Sequence, residues 1–387
     1  MFTRRTFLTG AGATALALPA TSALAAPSAA AGSLPLTIVN DTGAYGNAAI
    51  AVYIVGTNLS TGRQSHVRAD GTLVPVSLAD NGPDGYTDYG IALTGATTHL
   101  RLPYMSGRIY FALGSELKFK AVLDGNGNPA LQYPAGWVAS DPNYPVLHDF
   151  VEFTHLPSGM YCNTTMVDQF SVPLAIQLRG SRTQTTGTLV EGGRANIFAQ
   201  LAANTDFSRL VLDDLRVIAP GHGIGAGRFD STYYDDYIAR VWSKYAAEDL
   251  RVRINPGVFT GRVNSAGELV FTGDAPNPLP PFRKPSTSDV LFCNGALAAP
   301  NNTYTGPIAA VLGAGFNRST LHDQPDQPST EPSTFYRHPV TNHYARAMHA
   351  NTVDGKAYGF AFDDVGGFAS YVQDGAPSSV TVTMTPF

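Results

Sequence analysis

Two acidic residues lie inside segments that otherwise predict β-strands. Glu152 lies in the alternating segment 147–155, and Asp168 lies in the next predicted strand, from about Thr164 to Gln177. Acidic residues are depleted in strands, so both positions are unusual. Hydrolysis of a glycosidic bond requires such a pair: one carboxyl group protonates the leaving oxygen, and the other activates water or attacks the anomeric carbon. The alternative is that both are solvated acids on an exposed strand face.

The spacing of the two acids can be tested against strand geometry. Alternation gives the first segment two faces: Leu147, Asp149, Val151 and Phe153 on one, and His148, Phe150, Glu152 and Thr154 on the other. A tight turn at Pro157 and Ser158 would place Glu152 opposite Asn163 and leave Asp168 about 17 Å away, too far for joint action. Joint action therefore predicts a long loop over residues 155–165, with Glu152 in register with Asp168.

Other motifs for chemistry are weak or missing in the sequence. Neither Gly-x-Ser-x-Gly nor a phosphate-binding Gly-x-x-x-x-Gly-Lys-Ser/Thr occurs. The stretch Gly221–Ala226 is similar to a dinucleotide-binding loop, but it lacks the third glycine, so we interpret it as a flexible loop. His148, His155 and His222 are interpreted as structural or surface groups. With no Cys-x-x-Cys and no His-Glu-x-x-His, we expect neither a metal nor a cofactor.

Strand signals dominate residues 34–185, which predict a β barrel or sandwich domain. The predicted strands are short and bounded by turn residues: Ala49–Val55, Thr98–Leu102, Arg108–Leu113, Leu117–Leu123 and Asp149–Thr154. Residues 186–335 predict a mixed α/β domain, and residues 336–387 predict a helix and strands that return to the β domain. The fold class is therefore mainly β with an α/β part.

The second half of the chain carries the helical patterns. The predicted helices are Gly192–Ala203, Asp230–Ala247 and Thr341–Ala350, and the predicted strands are Leu215–Ala219, Leu269–Thr272, Lys356–Phe362 and Ser379–Thr385. The helix from Asp230 has the clearest apolar face: Tyr234, Ile238, Val241, Trp242 and Tyr245. Two proline-rich stretches, 276–285 and 325–332, predict irregular surface loops.

Residues 1–25 predict an export signal. Arg4 and Arg5 precede a small, apolar stretch that ends at Ala23–Ala25, the pattern of a twin-arginine signal peptide. An ordinary secretory signal is the alternative, and either one predicts a secreted protein. Without this segment, 23 basic residues remain against 30 acidic ones, a formal charge of −7. Nucleic acid is therefore not an expected partner, and no later apolar run approaches the ~18 residues that span a membrane.

Cys162 and Cys293 leave two possibilities open. In an oxidising compartment they can form one disulfide that closes a long loop, or they can remain two buried thiols. Sequence spacing alone does not decide between the two, because it does not show whether the side chains are close.

Several runs of sequence resemble glycoside hydrolase family 64, the laminaripentaose-producing β-1,3-glucanases. The resemblance is carried by Gly136–Thr154, Cys162–Phe170, Val217–Gly221, Tyr234–Tyr245 and Tyr358–Gly367. The spacing of sixteen residues from the glutamate of Glu-Phe-Thr to the aspartate of Val-Asp is specific, and both positions are filled. The resemblance covers nearly the whole chain after the export signal.

The resemblance implies a role for each acid. Glu152 takes the position of the general acid and Asp168 that of the general base of an inverting mechanism, which requires carboxyl groups about 6.5–9.5 Å apart. Glu152 is expected to have apolar neighbours such as Phe150 or Phe153. Thr154 matches a substrate-contacting position. Tyr161 stands where the family has tryptophan, and it can still stack on a sugar.

The resemblance also implies the architecture and the partner. It predicts a thaumatin-like β barrel or sandwich domain beside a mixed α/β domain, with a wide open groove between them. The expected partner is β-1,3-glucan, cut into short oligosaccharides such as the pentaose by a monomer. Leu156 stands where the family has asparagine, which bears on product length. Two alternatives stay open: a non-catalytic thaumatin-like glucan-binding protein, and a hydrolase of another wall polymer.

Overall fold

The computed structural model describes residues 32–387, so the predicted export signal lies outside the described residues. Within this range the chain is mostly β with short helices. The strands of the first half are β1 Ser33–Asn40, β2 Ile50–Thr57, β3 Gln64–Val67, β4 Leu73–Pro75, β5 Ile91–Ala92, β6 Thr97–Pro103, β7 Met105–Leu113, β8 Lys120–Leu123, β9 Pro129–Gln132, β10 Leu147–Leu156, β11 Gly159–Thr164, β12 Gln169–Phe170, β13 Leu174–Arg179 and β14 Thr183–Thr186.

The second half interleaves helices with strands. In chain order these are α1 Gly193–Ala202, β15 Val211–Leu212, β16 Arg216–Ile218, α2 Pro220–Gly225, α3 Asp235–Ala247, β17 Leu250–Ile254, β18 Gly257–Val263, β19 Leu269–Thr272, α4 Thr287–Phe292, α5 Thr305–Asn317, β20 Asp326–Gln327, α6 His343–Ala350, β21 Tyr371–Asp374 and β22 Ser379–Met384. The predicted class, mainly β with an α/β part, is confirmed.

Two large sheets pack face to face across one core. Over residues 32–387, one sheet has five strands in the order β14-β13-β22-β1-β6, and the other has eight, with the path β21-β11-β10-β7-β2-β3-β4 and β5 beside β2. The buried cluster between them takes apolar side chains from both sheets, including Ile38, Ile109, Val151 and Val382. The last strand, β22, pairs in parallel with β1, so the first and last described strands are neighbours in the same sheet.

The predicted alternation of β10 is confirmed. Leu147, Val151 and Phe153 lie in the core between the sheets, whereas Phe150 belongs to a second cluster on the opposite face. Glu152 therefore projects from the outer face of the larger sheet, away from the sandwich core. This outer face is where the candidate chemistry lies.

A second large core holds the helices. In α3, the apolar face predicted from the sequence is buried, and Asp235 and Asp236 occupy the first turn, where acids favour a helix. The helix is predicted from Asp230 but begins at Asp235, and residues 231–234 before it form turns. Most of α5 is buried, so it carries no polar stripe from which a surface helix could be predicted.

Three local predictions are wrong. Lys356–Phe362 is irregular rather than a strand, because it packs by its side chains against the helices through Phe360 and Phe362. Gly221–Ala226 is interpreted above as a flexible loop, but α2 forms there with a proline at its start. The single strand predicted from Thr164 to Gln177 is divided among β11, β12 and β13, and Asp168 lies in the bend between the first two.

Both cysteines are buried and free, so the alternative with two thiols holds. Cys162 belongs to the sandwich core, while Cys293 packs with Phe360 and Phe362 among the helices. Burial raises the pKa of the Cys162 thiol to about 12. Among the helices within residues 32–387, none combines the length and apolar character needed to cross a bilayer.

Candidate active site

A tight hairpin, not a long loop, follows Glu152. Strands β10 and β11 pair up to Leu156 and Gly159, with only Pro157 and Ser158 between them, and Glu152 lies opposite Asn163. The predicted loop over residues 155–165 is therefore wrong. Proline suits the first corner of such a turn, and Gly159 has φ +148, in the region that favours glycine.

Glu152 lies in a polar row across the outer face of the larger sheet. Arg108 on β7 and Asn163 on β11 are its direct cross-strand neighbours. Arg108 Nε donates to Glu152 Oε1 at 3.1 Å, and Asn163 Nδ2 donates to Glu152 Oε2 at 3.4 Å. The Glu152 side chain is 34% exposed, so it combines a fixed position with access from solvent.

The expected apolar surroundings of Glu152 are wrong. Phe153 points into the sandwich core, and the ring of Phe150 is covered by the Arg108 guanidinium, whose carbon lies 4.2 Å from the ring centroid. Arg108 Nη1 also donates to the hydroxyl of Tyr110 at 3.2 Å. The side chains that donate to Glu152 are thus a cation backed by aromatic rings and the amide of Asn163, and neither is apolar.

Asp168 lies near Glu152 because the chain leaves the larger sheet after β11 and crosses to a different sheet. Residues 165–168 are irregular, and β12 then pairs with β16 in a different sheet. Ala219 N donates to Asp168 O at 3.1 Å. The separation of about 17 Å expected above assumed that the strand continues straight to Asp168. Since the strand ends at Thr164, that expectation does not apply.

Buried polar groups hold this crossing in place. The side chain of Asp149 accepts hydrogen bonds from Ser171 N at 2.8 Å and from Val172 N at 3.2 Å. Gln169 Nε2 donates to His148 O at 2.9 Å, and Gln169 Oε1 accepts from Arg216 Nη1 at 2.9 Å. Burial raises the pKa of Asp149 to about 7. These bonds tie β12 to β10, which fixes the path of the chain on both sides of Asp168.

The segment before Asp168 is anchored from the other side as well. Met166 N donates to Tyr358 O at 2.9 Å, and the Tyr344 hydroxyl donates to Met166 O at 2.6 Å. Tyr358 belongs to the irregular segment that was predicted as a strand. Burial raises the pKa of the Tyr358 hydroxyl well above its usual value, and the nearby acids Asp364 and Glu152 act in the same direction.

Arg108 brings the two acids together. Arg108 Nη2 lies 2.9 Å from Glu152 Oε1 and 3.6 Å from Asp168 Oδ2, so these two oxygens are at most about 6.5 Å apart. On its other side, Asp168 Oδ1 lies 2.9 Å from His222 Nε2. Asp168 is the more buried acid, with a side chain that is 10% exposed. Two carboxyl groups therefore share a site, as the sequence predicts.

The predicted substrate-contacting residues lie on the same face. Thr154 and Tyr161 are cross-strand neighbours one row along from Glu152 and Asn163. Thr154 Oγ1 makes a hydrogen bond to Ser106 Oγ at 2.8 Å, and Tyr161 is partly exposed. Three of the four predicted site residues, Glu152, Thr154 and Tyr161, thus lie on one face of the larger sheet, and Asp168 lies across Arg108 from Glu152. Their roles stay predictions.

Arg108 and His222 were missed from the sequence. Arg108 carries a weak signal, because it is the one charged residue in the predicted strand Arg108–Leu113. His222 carries none, since its partner Asp168 lies 54 positions earlier and the contact depends on the crossing of the chain. Within the described residues, no group of three or more His, Cys, Asp or Glu side chains is arranged to hold a metal ion.

Two carboxyl groups around one guanidinium, next to hydroxyl-bearing side chains, are the kind of pair that hydrolysis of a glycosidic bond requires. Residues 32–384 match the family model of β-1,3-glucanases of glycoside hydrolase family 64. The chain is 33% identical over 395 residues to a glucan endo-1,3-β-glucosidase of Arthrobacter sp. (strain YCWD3), covering 98% of this chain and 68% of that protein.

Two solved structures are similar over nearly their whole length. One is a laminaripentaose-producing β-1,3-glucanase in complex with laminaritetraose, with 38% identity and a TM-score of 0.84, covering 92% of this chain and 99% of the other. The second is a β-1,3-glucanase domain from Clostridium beijerinckii, with 27% identity and a TM-score of 0.82, covering 94% and 100%. The chain belongs to glycoside hydrolase family 64.

Proposed function

We propose that this protein cleaves β-1,3-glucan at internal linkages by an inverting mechanism, with Glu152 as the general acid and Asp168 as the general base. The observation that carries the proposal is the placement of both carboxyl groups around Arg108 Nη2, at 2.9 Å and 3.6 Å. Membership of a β-1,3-glucanase family supplies the substrate class. The similar structure with laminaritetraose shows such a ligand on a related protein.

The chemistry divides between the two acids. Asp168 takes a proton from a water molecule, whose oxygen attacks the anomeric carbon as the glycosidic bond breaks. Glu152 gives its proton to the departing sugar oxygen, so that one proton is gained and one is lost. The upper limit of about 6.5 Å between Glu152 Oε1 and Asp168 Oδ2 equals the lower end of the inverting range, so the inverting assignment rests on the resemblance to the family and not on this distance. Substrate entry must weaken the contact between Arg108 and Glu152, because the acid acts in its protonated form.

The surroundings of the two acids suit a neutral polysaccharide. Next to the row of Arg108, Glu152 and Asn163 lies a row of uncharged polar side chains, Ser106, Thr154, Tyr161 and Gln373, on the same face of the sheet. Hydroxyl and amide groups exchange hydrogen bonds with sugar hydroxyls, and a tyrosine ring packs on a sugar face. Products are proposed to be short laminari-oligosaccharides such as the pentaose.

The architecture is proposed to be thaumatin-like, with a wide groove between the β domain and the mixed domain for a glucan chain. Residues 34–185, 186–335 and 336–387 are the proposed units. The protein is proposed to act as a monomer outside the cell, exported by the signal in residues 1–25, which lie outside the described residues. A non-catalytic glucan-binding role is the alternative, and the paired carboxyl groups favour catalysis over it.

The proposal is tested with the purified protein on laminarin and curdlan, with chitin and a β-1,4-glucan as parallel substrates. We expect reducing sugar from the first two only, chromatography to show a short oligosaccharide as the main product, and NMR of fresh product to show the α-anomer. A β-anomer would contradict inversion and assign a retaining mechanism. Curdlan binding without soluble product would contradict catalysis, and release from chitin or β-1,4-glucan alone would contradict the substrate.

A further inference from the structure

His222 is held in one orientation beside Asp168. Its ring stacks on the Trp137 indole, with centroids 4.0 Å apart and planes 21° apart. The Phe292 ring lies nearly perpendicular to the imidazole, at a centroid distance of 5.3 Å and an interplanar angle of 78°. The His222 side chain is 17% exposed. Two aromatic contacts thus fix the plane of the imidazole and aim Nε2 at the Asp168 carboxyl group.

The backbone around His222 and that around Asp168 are coupled. Helix α2 follows β16, which pairs with β12 directly after Asp168. Ala219 N, just before α2, donates to Asp168 O at 3.1 Å. This bond fixes the main chain at Asp168, but rotation of the side chain would still move both carboxyl oxygens. A contact to one of those oxygens, 2.9 Å from His222 Nε2, restricts that rotation.

We propose that His222 is a positioning residue that selects the oxygen of Asp168 that acts as the base. This inference rests on the proposed role of Asp168. An ionised carboxylate only accepts hydrogen bonds, so His222 Nε2 carries the hydrogen and donates it to Oδ1. Oδ2 lies on the side of Arg108 Nη2, at 3.6 Å, and therefore on the side of Glu152. Oδ2 is then the oxygen that takes the proton from the attacking water.

The histidine has a chemical role that packing alone does not require. A phenylalanine ring would keep the stack on Trp137 and the edge contact with Phe292, but it has no hydrogen to donate. A glutamine has an amide nitrogen at a similar distance from the backbone, so it can restore the hydrogen bond without the ring. An asparagine is too short to reach. The three substitutions therefore separate packing from hydrogen bonding at one position.

The test compares His222→Phe, His222→Gln and His222→Asn in steady-state kinetics on laminari-oligosaccharides. We expect kcat to fall by about tenfold to a hundredfold in the Phe and Asn variants, with KM changed by less than about threefold, because a hydrogen bond to a charged group is lost at the reacting carboxylate. The Gln variant should regain most of kcat. His343→Phe is the matched control, since His343 also contacts a ring, Phe207, but bonds to the Pro339 carbonyl.

Three results would overturn the proposal. Full kcat in His222→Phe would show that the hydrogen bond is dispensable. A loss of kcat in the Gln variant as large as that in the Asn variant would show that a donated hydrogen bond at this position does not restore activity. If His222→Phe lowers kcat by the same factor in the Asp168→Asn background as in the wild type, the two residues act independently. If the Phe variant does not fold, the comparison of kcat between the Asn and Gln variants tests the proposal. Undiminished activity in Asp168→Asn itself would instead refute the proposed function.

Discussion

Replacing Asp363 by asparagine tests the anchor of the irregular segment beside the active site. Asp363 is fully buried, and its Oδ1 accepts from Arg318 Nη2 at 3.0 Å, while its Oδ2 accepts from His349 Nε2 and from Gly359 N, both at 2.9 Å. The Arg318 side chain is 2% exposed. The Asp363→Asn change therefore leaves a buried guanidinium without its counter-charge.

The expected loss of stability follows from this burial. Removing one partner of a buried ion pair costs about 3–5 kcal/mol, because the remaining charge is neither solvated nor paired. With an unfolding entropy of about 2.1 cal/mol/K per residue over roughly 360 residues, this lowers Tm by about 4–7 °C. Asp326→Asn is the matched control. Its bonds to Arg251, at 2.5 and 2.6 Å, lie on the surface, where a pair contributes about 0–1 kcal/mol.

The pH dependence of Tm gives the same prediction a second readout. Burial lowers the pKa of His349, but the Asp363 carboxylate outweighs it and raises that pKa above 6.5. The stability that protonated His349 contributes is therefore lost as pH rises through the raised pKa. Burial raises the pKa of Asp363, but His349 and Arg318 outweigh it and hold that pKa below 3.8. The stability that ionised Asp363 contributes is therefore lost as pH falls through the lowered pKa.

The difference in Tm between wild type and Asp363→Asn, measured by calorimetry, should therefore be largest between pH 3.8 and 6.5 and shrink on either side. A difference below 1 °C, or one as large at pH 8.5 as at pH 5, would refute the reasoning. So would an equal loss in the surface control, because burial of the charges would then make no difference.

Three further predictions follow from the same structure. Gly107→Ala should give insoluble protein or a Tm lower by several degrees, since a Cβ there would lie 2.2 Å from Val55 O in the neighbouring strand; wild-type Tm would contradict this. Cys162 and Cys293 should react with a thiol reagent only after denaturation, with two thiols counted; no thiol in the denatured protein would show a disulfide. Arg108→Lys should lower kcat/KM about tenfold or more on laminarin, because a lysine does not contact both carboxyl groups at once; unchanged kinetics would remove Arg108 from the site.

The buried faces of elements whose apolar residues repeat with a short period could be predicted well. The two faces of β10 follow from strict alternation, and the apolar face of α3 follows from its 3.6-residue period, so both could be predicted residue by residue. Neither depends on distant parts of the chain. The position of Glu152 on the outer face of the larger sheet could be predicted for the same reason.

Contacts between distant segments could not be predicted. A tight hairpin after Glu152 separates it from Asp168 only if the strand continues straight, and no local pattern shows that the chain leaves the sheet at Thr164. That crossing depends on buried bonds, such as those from Ser171 N and Val172 N to Asp149, that join segments more than 20 residues apart. Arg108 enters the site through the pairing of β7 with β10, and His222 enters it through the crossing, so local periodicity does not reveal either residue.

The most direct test of the central claim is the activity of Glu152→Gln and Asp168→Asn on laminarin, with Tm measured in parallel. Each change keeps the shape of the side chain and removes its proton chemistry, so we expect kcat to fall by about 10²–10⁴-fold with little change in Tm. Glu116→Gln, on an exposed acid with a side chain that is 76% accessible, should retain full activity. Wild-type kcat in either site variant would contradict the assignment of that residue to catalysis.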